Sequence, residues 1–310
     1  MRRQVSRFSP GRHVRLHRES HRRRIQIRQS EREPKLWLRD ELHAKARRLS
    51  SADSIHEKVA SQFGPNAGAY VTSVGHANPD VIAGLVKLVD PKPTDSLLDI
   101  ATGAGHVALN FAPHVASATA LDLTQSMLDQ VERQAFERGL SNVSTVLAKA
   151  EELPFPDGHF DIVTVRLAPH HFSDVVRFLR ESRRVLRPGG KFLLVDSVVP
   201  NDDELDVMIN HIEVLRDPSH VRSYRPGEWI SMLEEAGFSV VHQHVGLHSG
   251  GHRMELIGWM DRIGTPEVNR EELRGIFFDP PPELVETLLI ERENDVVTFT
   301  LPEMTILARA

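Results

Sequence analysis

Between residues 97 and 195, five short apolar runs alternate with helical patterns, and this alternation limits the fold more than any other feature of the sequence. The runs cover residues 97–101, 118–121, 144–147, 160–165 and 191–195. Each has the length of a buried strand, and two of the intervening segments repeat apolar residues at helical spacing. Strands that alternate with helices form right-handed crossovers and a mainly parallel sheet with helices on both faces. The sequence therefore predicts an α/β, doubly wound domain.

The C-terminal third departs from this alternation. A helix is predicted around residues 229–233 and a strand at 238–241, but the last strand-like run, 296–300, comes about fifty residues later. A connection of that length needs structure of its own, so we expect a helical cap that the helical segment around 205–215 joins. The predicted organisation is a basic, disordered extension (1–50), an N-terminal helical lid (51–92), the α/β core (93–247, with a cap segment at 201–225), a helical cap insertion (248–293) and a final core strand (294–310).

The first apolar run leads into a glycine-rich loop, D-I-A-T-G-A-G over residues 99–105, and the second run is followed by Asp122. Doubly wound sheets bind ligands at such loops, because glycine lets the backbone approach a ligand closely. The spacing fits an NAD(P)-dependent oxidoreductase as well as an enzyme that uses S-adenosylmethionine (SAM), and a turn without a ligand is the third reading. Asp99 favours SAM, because a carboxylate there attracts an amino group and repels a pyrophosphate.

Four motifs in order carry a resemblance to a known family: L-L-D-I-A-T-G-A-G, A-L-D-L-T, A-E-E-L-P-F and R-V-L-R-P-G-G-K-F. From about residue 62 to 245 the chain resembles the class I SAM-dependent methyltransferases, in particular the ubiquinone/menaquinone-biosynthesis type (methyltransferase type 11). The resemblance implies a seven-stranded, mostly parallel sheet with an antiparallel last strand, which we place at 296–300. It also implies SAM as the cofactor. The predicted cap favours a small, enclosed methyl acceptor, apolar or aromatic, modified at carbon, oxygen or nitrogen.

Carried over onto this sequence, the resemblance implies a set of cofactor contacts. They are Asp99, Ala101, Gly103 and Gly105 around the methionine part of SAM, Asp122 on the ribose, Leu123 and Met127 against the adenine, Ala150 and Glu151 at the adenine edge, and Arg166 at the amino-acid end. Two positions depart from the family pattern. Lys149 stands where the family often has an acidic residue, and Ala101 stands where it has the first glycine.

Two adjacent histidines, His170 and His171, come after the fourth apolar run and are the candidate catalytic bases. Histidine suits this role because its ordinary pKa lies near neutrality, although a structural, hydrogen-bonded histidine is the alternative. Tyr70, Arg216 and His220 are candidate substrate contacts, with core packing or salt bridges as the alternative roles.

Four further histidines, at 242, 244, 248 and 252, lie close together. Two of them share a strand face, but no acidic residue at ligand spacing occurs until Glu255. We therefore predict no metal site.

Charge is distributed unevenly along the chain. Residues 1–50 hold 16 Lys and Arg against 5 Asp and Glu, whereas the remaining 260 residues carry a net charge of -16. Such an extension could direct the chain to an organelle, or it could associate a SAM-binding protein with nucleic acid. It is also typical of a disordered segment, or of a start codon that has been assigned too far upstream. The acidic body argues against a nucleic-acid partner.

The chain has no cysteine and no apolar run of about 18 residues, which excludes disulfides, thiol catalysis and a membrane span. We expect a cytoplasmic protein. The sequence leaves the oligomeric state open and is compatible with a homodimer. A domain that binds SAM without turnover is the remaining alternative.

Overall fold

The computed structural model describes residues 52–65, 67–68 and 77–310. The chain divides into two compact units, residues 1–42 and 43–310. The first unit lies outside the described residues, as do the rest of the basic extension and Tyr70. All of the described helices and strands belong to the second unit.

Within the described residues, ten strands form two sheets. The strands are β1 (Ser96–Ile100), β2 (Ser117–Asp122), β3 (Val143–Leu147), β4 (Phe160–Arg166), β5 (Leu186–Ser197), β6 (Ser239–Leu247), β7 (Met254–Glu255), β8 (Glu291–Glu293), β9 (Val296–Phe299) and β10 (Pro302–Arg309). The large sheet has the order β3-β2-β1-β4-β5-β10-β6, and the small one has the order β7-β9-β8. All pairs from β3 to β5 are parallel, while β10 is antiparallel to both of its neighbours. The predicted doubly wound, seven-stranded sheet is confirmed.

The predicted position of the antiparallel core strand is wrong. The run 296–300 contributes β9, which pairs with β7 and β8 in the small sheet, and the core strand is β10. The first residue of β10 is Pro302. A strand tolerates proline at this position because the N–H that proline lacks is not needed for pairing there. Further along, β10 is buried on both faces between β5 and β6, so it lacks the alternation that marks a half-buried strand.

In the part of the chain that the structure describes, ten α-helices accompany the sheets. They are α1 (Ala52–Phe63), α2 (Pro79–Val89), α3 (His106–Phe111), α4 (Gln125–Glu137), α5 (Val175–Val185), α6 (Asp203–Arg216), α7 (Pro226–Glu235), α8 (Leu256–Asp261), α9 (Glu267–Phe278) and α10 (Pro282–Leu288). Helices α5 and α7 pack on one face of the large sheet, and α2, α3 and α4 pack on the other. None of the helices within these ranges has the length and apolar character that crossing a bilayer requires.

A second hydrophobic core lies outside the large sheet. It joins α6, α8, α9 and α10 to the small sheet, with the aromatic rings of Trp259, Phe277 and Phe299 in mutual contact at its centre. We call these elements the cap. Because the cap has a core of its own, it can hold side chains rigidly over the ends of the core strands.

Candidate active site

An open cleft lies at the carboxyl ends of the core strands. Its volume is about 1440 Å³ when the solvent-filled entrance is included. Strand order reverses between β1 and β4, and at such a point the flanking connections diverge and leave a crevice. Helix α1 contributes His56 and Phe63 to the walls of the cleft, and the cap contributes Arg216 and Trp259. The cleft therefore has a floor made by the sheet and two walls made by the lid helix and the cap.

The glycine-rich loop comes after β1 and has left-handed backbone at three positions. Ala101, Gly103 and Gly105 have φ values of 51°, 53° and 86°. Ala101 and Gly103 border the cleft, whereas Gly105 does not. A Cβ on Gly105 would lie 2.9 Å from Cγ2 of Val131. Gly105 therefore permits close packing of α3 on α4, and its predicted contact with the cofactor stays a prediction.

Asp99 is buried beneath the loop. Its carboxylate accepts hydrogen bonds from the hydroxyls of Thr102 (2.6 Å) and Thr164 (2.7 Å) and from the backbone N–H of Ala108 (3.2 Å). Burial nevertheless raises the pKa of Asp99 to about 6. Arg166, at the end of β4, also borders the cleft, and its charge interacts with that of Asp99. The floor thus offers one acidic and one cationic side chain to a ligand.

Asp122 ends β2 and fixes the loop from the other side. Its carboxylate accepts hydrogen bonds from the N–H of Gly103 and the N–H of Thr124, both at 2.9 Å. Burial raises its pKa. Leu123, Met127 and Ala150, for which the sequence predicts contact with the adenine, border the same part of the cleft.

Glu151 borders the cleft, but its carboxylate has partners within the protein. It accepts hydrogen bonds from the Ser173 hydroxyl (2.7 Å) and N–H (3.0 Å), and His56 Nε2 lies 3.2 Å from its other oxygen. These contacts tie the lid helix to the core, and the predicted contact of Glu151 with the adenine edge stays a prediction.

His170 forms a buried pair with Asp196 at the end of β5. The distance between His170 Nδ1 and Asp196 Oδ1 is 2.6 Å, and Asp196 is 0% exposed. Burial by itself lowers the pKa of His170, but the charge and hydrogen bond of Asp196 outweigh burial, and the pKa is raised. The pKa of the adjacent His171 is lowered to about 4 by burial and by the charge of His170. Of the two adjacent histidines, His170 therefore binds a proton in preference to His171.

His220 lies behind this pair and not in the cleft. Its ring stacks on that of His170 at 5.5 Å, and its Nε2 lies 3.1 Å from Asn210 Oδ1. Burial holds its pKa well below the ordinary value. This position lets His220 support the ring of His170, and its predicted contact with substrate stays a prediction. Arg216 does border the cleft, with its guanidinium 4.7 Å above the ring of Trp259.

Sequence reasoning missed two acidic residues of the site. Asp196 comes directly after the apolar run 191–195, much as Asp99 and Asp122 lie at the ends of theirs, so the same rule for strand ends could have found it. Glu213 lies in the last turn of α6 and borders the cleft. No sequence signal distinguished it, because an acidic residue on an amphipathic helix usually faces solvent.

Residues 98–194 match the methyltransferase domain family. An uncharacterized methyltransferase of Bacillus subtilis (strain 168), YcgJ, is 37% identical over 211 residues, which are 68% of this chain and 82% of the relative. A demethylmenaquinone methyltransferase of Listeria monocytogenes (serotype 4a, strain HCC23) is 28% identical over 187 residues, 54% of this chain and 78% of the relative. A crystal structure from Bacillus halodurans C-125, described as a methyltransferase, has a TM-score of 0.70 at 35% identity and covers 74% of this chain and 98% of that one.

These similarities agree with the strand order and with the four sequence motifs. They confirm the predicted fold, the enzyme class (EC 2.1.1.-) and the cofactor, SAM. The chain belongs to the class I SAM-dependent methyltransferases.

Proposed function

We propose that this methyltransferase modifies a small apolar or aromatic acceptor, which enters between the lid helix and the cap, and that His170 serves as the base. The observation that carries the proposal is the 2.6 Å pair of His170 and Asp196, because His170 borders the same cleft as the glycine-rich loop. A histidine held by a buried carboxylate in this way has a fixed ring orientation and a stabilised imidazolium form.

The residues on the sheet floor fit SAM. Asp99 and Arg166 offer opposite charges to the amino and carboxylate groups of its methionine part. Asp122 offers a buried carboxylate that can accept hydrogen bonds from the ribose hydroxyls. Leu123 and Met127 offer an apolar surface to the adenine ring.

The remaining walls fit an apolar acceptor. Phe63, Phe172, Met254, Trp259 and Leu301 all border the cleft and come from the lid, the core and the cap. Sites for small molecules combine such apolar walls with a few convergent polar groups. The similarity to a demethylmenaquinone methyltransferase, whose name specifies an acceptor with a quinone-type ring, supports the same class of acceptor.

Bound SAM supplies a methyl group that its sulfonium charge makes electrophilic, and loss of that group leaves neutral S-adenosylhomocysteine. His170 takes the proton of the attacking O–H, N–H or C–H group on Nε2, while Asp196 holds Nδ1 and balances the charge of the imidazolium. Helix α1 and the cap exclude water from the two reactants and align them.

The proposed acceptor class is tested with SAM carrying an isotopically labelled methyl group. We expect labelled product from phenols, naphthols or hydroquinones, and none from free amino acids or RNA under the same conditions. Labelling of RNA alone, or of zwitterionic acceptors alone, contradicts the proposal. The variant Asp129→Asn, an exposed charge change on α4, is the control and should retain the wild-type pattern.

Asp99 predicts a pH dependence for binding of S-adenosylhomocysteine. In the free protein the pKa of Asp99 is about 6, and the amino group of the bound ligand lowers it. Below pH 6 the protein must therefore release a proton to bind, so the dissociation constant should fall as pH rises from 5 to 7, by up to tenfold per pH unit. Calorimetric titration measures this dependence. The Asp99→Asn variant should bind more weakly and with a flatter pH profile, and a profile unchanged in the variant assigns the titration to another group.

A further inference from the structure

Glu213 is an acidic side chain for which the proposed reaction has no use. It lies in the last turn of α6, is 6% exposed and borders the cleft. Its Oε1 atom is buried and accepts no hydrogen bond from any residue that the structure describes. Nearly all buried polar groups in folded proteins have a partner, and a buried carboxylate without one is costly. The Oε1 atom therefore has no hydrogen-bond partner among the described residues, and a ligand bound in the cleft could provide one.

The charges around Glu213 indicate what kind of partner is missing. Burial raises its pKa, and the negative charge of Asp217 acts in the same direction, whereas the positive charges of Arg216, His170 and His248 oppose them. None of these groups comes within 4 Å of its carboxylate as an ion pair in the described part of the chain. The neighbouring cations act at a distance, do not outweigh burial and leave the hydrogen-bonding capacity of Oε1 unused.

These surroundings favour a neutral hydrogen-bond donor over a cation. Arg216 is positively charged and borders the same cleft, so it would repel a cationic amine. The adjacent wall is apolar and aromatic at Trp259, over which the Arg216 guanidinium is stacked. A hydroxyl group on an aromatic ring satisfies both conditions.

We infer that Glu213 is a specificity-determining residue whose Oε1 atom accepts a hydrogen bond from a hydroxyl group of the methyl acceptor. The inference rests on the proposed acceptor class and narrows it. A hydroxyl group that donates to Oε1 satisfies the buried oxygen atom, and where the carboxylate is ionised this hydrogen bond is roughly twice as strong as one between neutral groups. Acceptors without the hydroxyl leave the buried carboxylate unsatisfied and are discriminated against.

Three probes that differ only in this group test the inference: 2-naphthol, 2-methoxynaphthalene and naphthalene. Binding of each is measured by calorimetry at neutral pH to the enzyme saturated with S-adenosylhomocysteine. We expect the wild-type protein to bind 2-naphthol about tenfold or more tightly than the methoxy compound. Glu213→Gln should reduce this preference at least to about threefold, because an amide oxygen is a weaker acceptor than a carboxylate.

The matched control is Glu204→Gln, which makes the same change at an exposed position on the same helix and should keep the wild-type preference. Unchanged binding of S-adenosylhomocysteine shows that each variant is folded. If Glu213→Gln does not fold, Glu213→Asp withdraws the carboxylate by one methylene and should lower the preference as well.

Two results overturn the inference alone: equal binding of naphthol and methoxynaphthalene to the wild-type protein, or an equal preference in the wild type and in the folded Glu213 variant. If none of the three compounds binds to wild-type enzyme that does bind S-adenosylhomocysteine, the aromatic acceptor class fails together with the inference.

Discussion

Replacement of Asp122 by asparagine is expected to weaken binding of S-adenosylhomocysteine by about 100-fold or more. The proposed site gives Asp122 two hydrogen bonds from ribose hydroxyls, and each hydrogen bond to a charged group contributes roughly 1.5–3 kcal/mol. The carboxylate also accepts from the N–H groups of Gly103 and Thr124, so the variant disturbs the glycine-rich loop at the same time. An asparagine can accept through only one of its two terminal atoms. The dissociation constant is measured by calorimetric titration.

Asp129→Asn is the control for this experiment, since it removes one negative charge from the exposed face of α4, the helix that comes after Asp122. Its dissociation constant should stay within about twofold of wild type, because exposed charges contribute little. A folded Asp122→Asn variant that binds as tightly as wild type contradicts the proposed ribose contact. Thermal unfolding without ligand separates lost affinity from lost structure.

The parts of this protein that could be predicted from sequence are those that local patterns determine. The core strands before residue 197 are short apolar runs, and Asp99 and Asp122 lie at strand ends that a parallel sheet brings to one edge. The misplacement of the last core strand has a physical reason. β9 and β10 are both strand-like, and only the packing of β10 between β5 and β6 decides which of them enters the large sheet.

The parts that could not be predicted depend on contacts between distant segments. His170 and Asp196 are 26 positions apart and meet because β4 and β5 are neighbours in the sheet. The sequence predicts His220 in the cleft, and only the fold places it behind His170. Glu213 reaches the cleft because the cap packs over the strand ends, which helical spacing alone does not reveal.

The largest effect on catalysis is expected from Asp196→Asn. In the wild-type protein, burial and Asp196 act on the pKa of His170 in opposite directions, and Asp196 prevails. Without that negative charge, only the weaker interactions with Glu213 and Asp217 oppose burial, so the pKa should fall from above the ordinary value of about 6.5 to below it. Titration of the histidine side chains by nitrogen-15 NMR, on protein saturated with S-adenosylhomocysteine, measures this change without an acceptor.

The rate of methyl transfer should fall by about 100-fold or more in the same variant, because asparagine neither stabilises the imidazolium nor enforces the tautomer that leaves Nε2 free to accept a proton. The direction of the pH profile is set by the proposed role. A base must be neutral to act, so the wild-type rate rises as pH passes through the raised pKa of His170, and the acidic limb of the variant moves to lower pH. Asp129→Asn should leave both the limb and the rate in place. A lower rate with an unmoved acidic limb would assign Asp196 a structural role and leave the base to be sought elsewhere in the cleft.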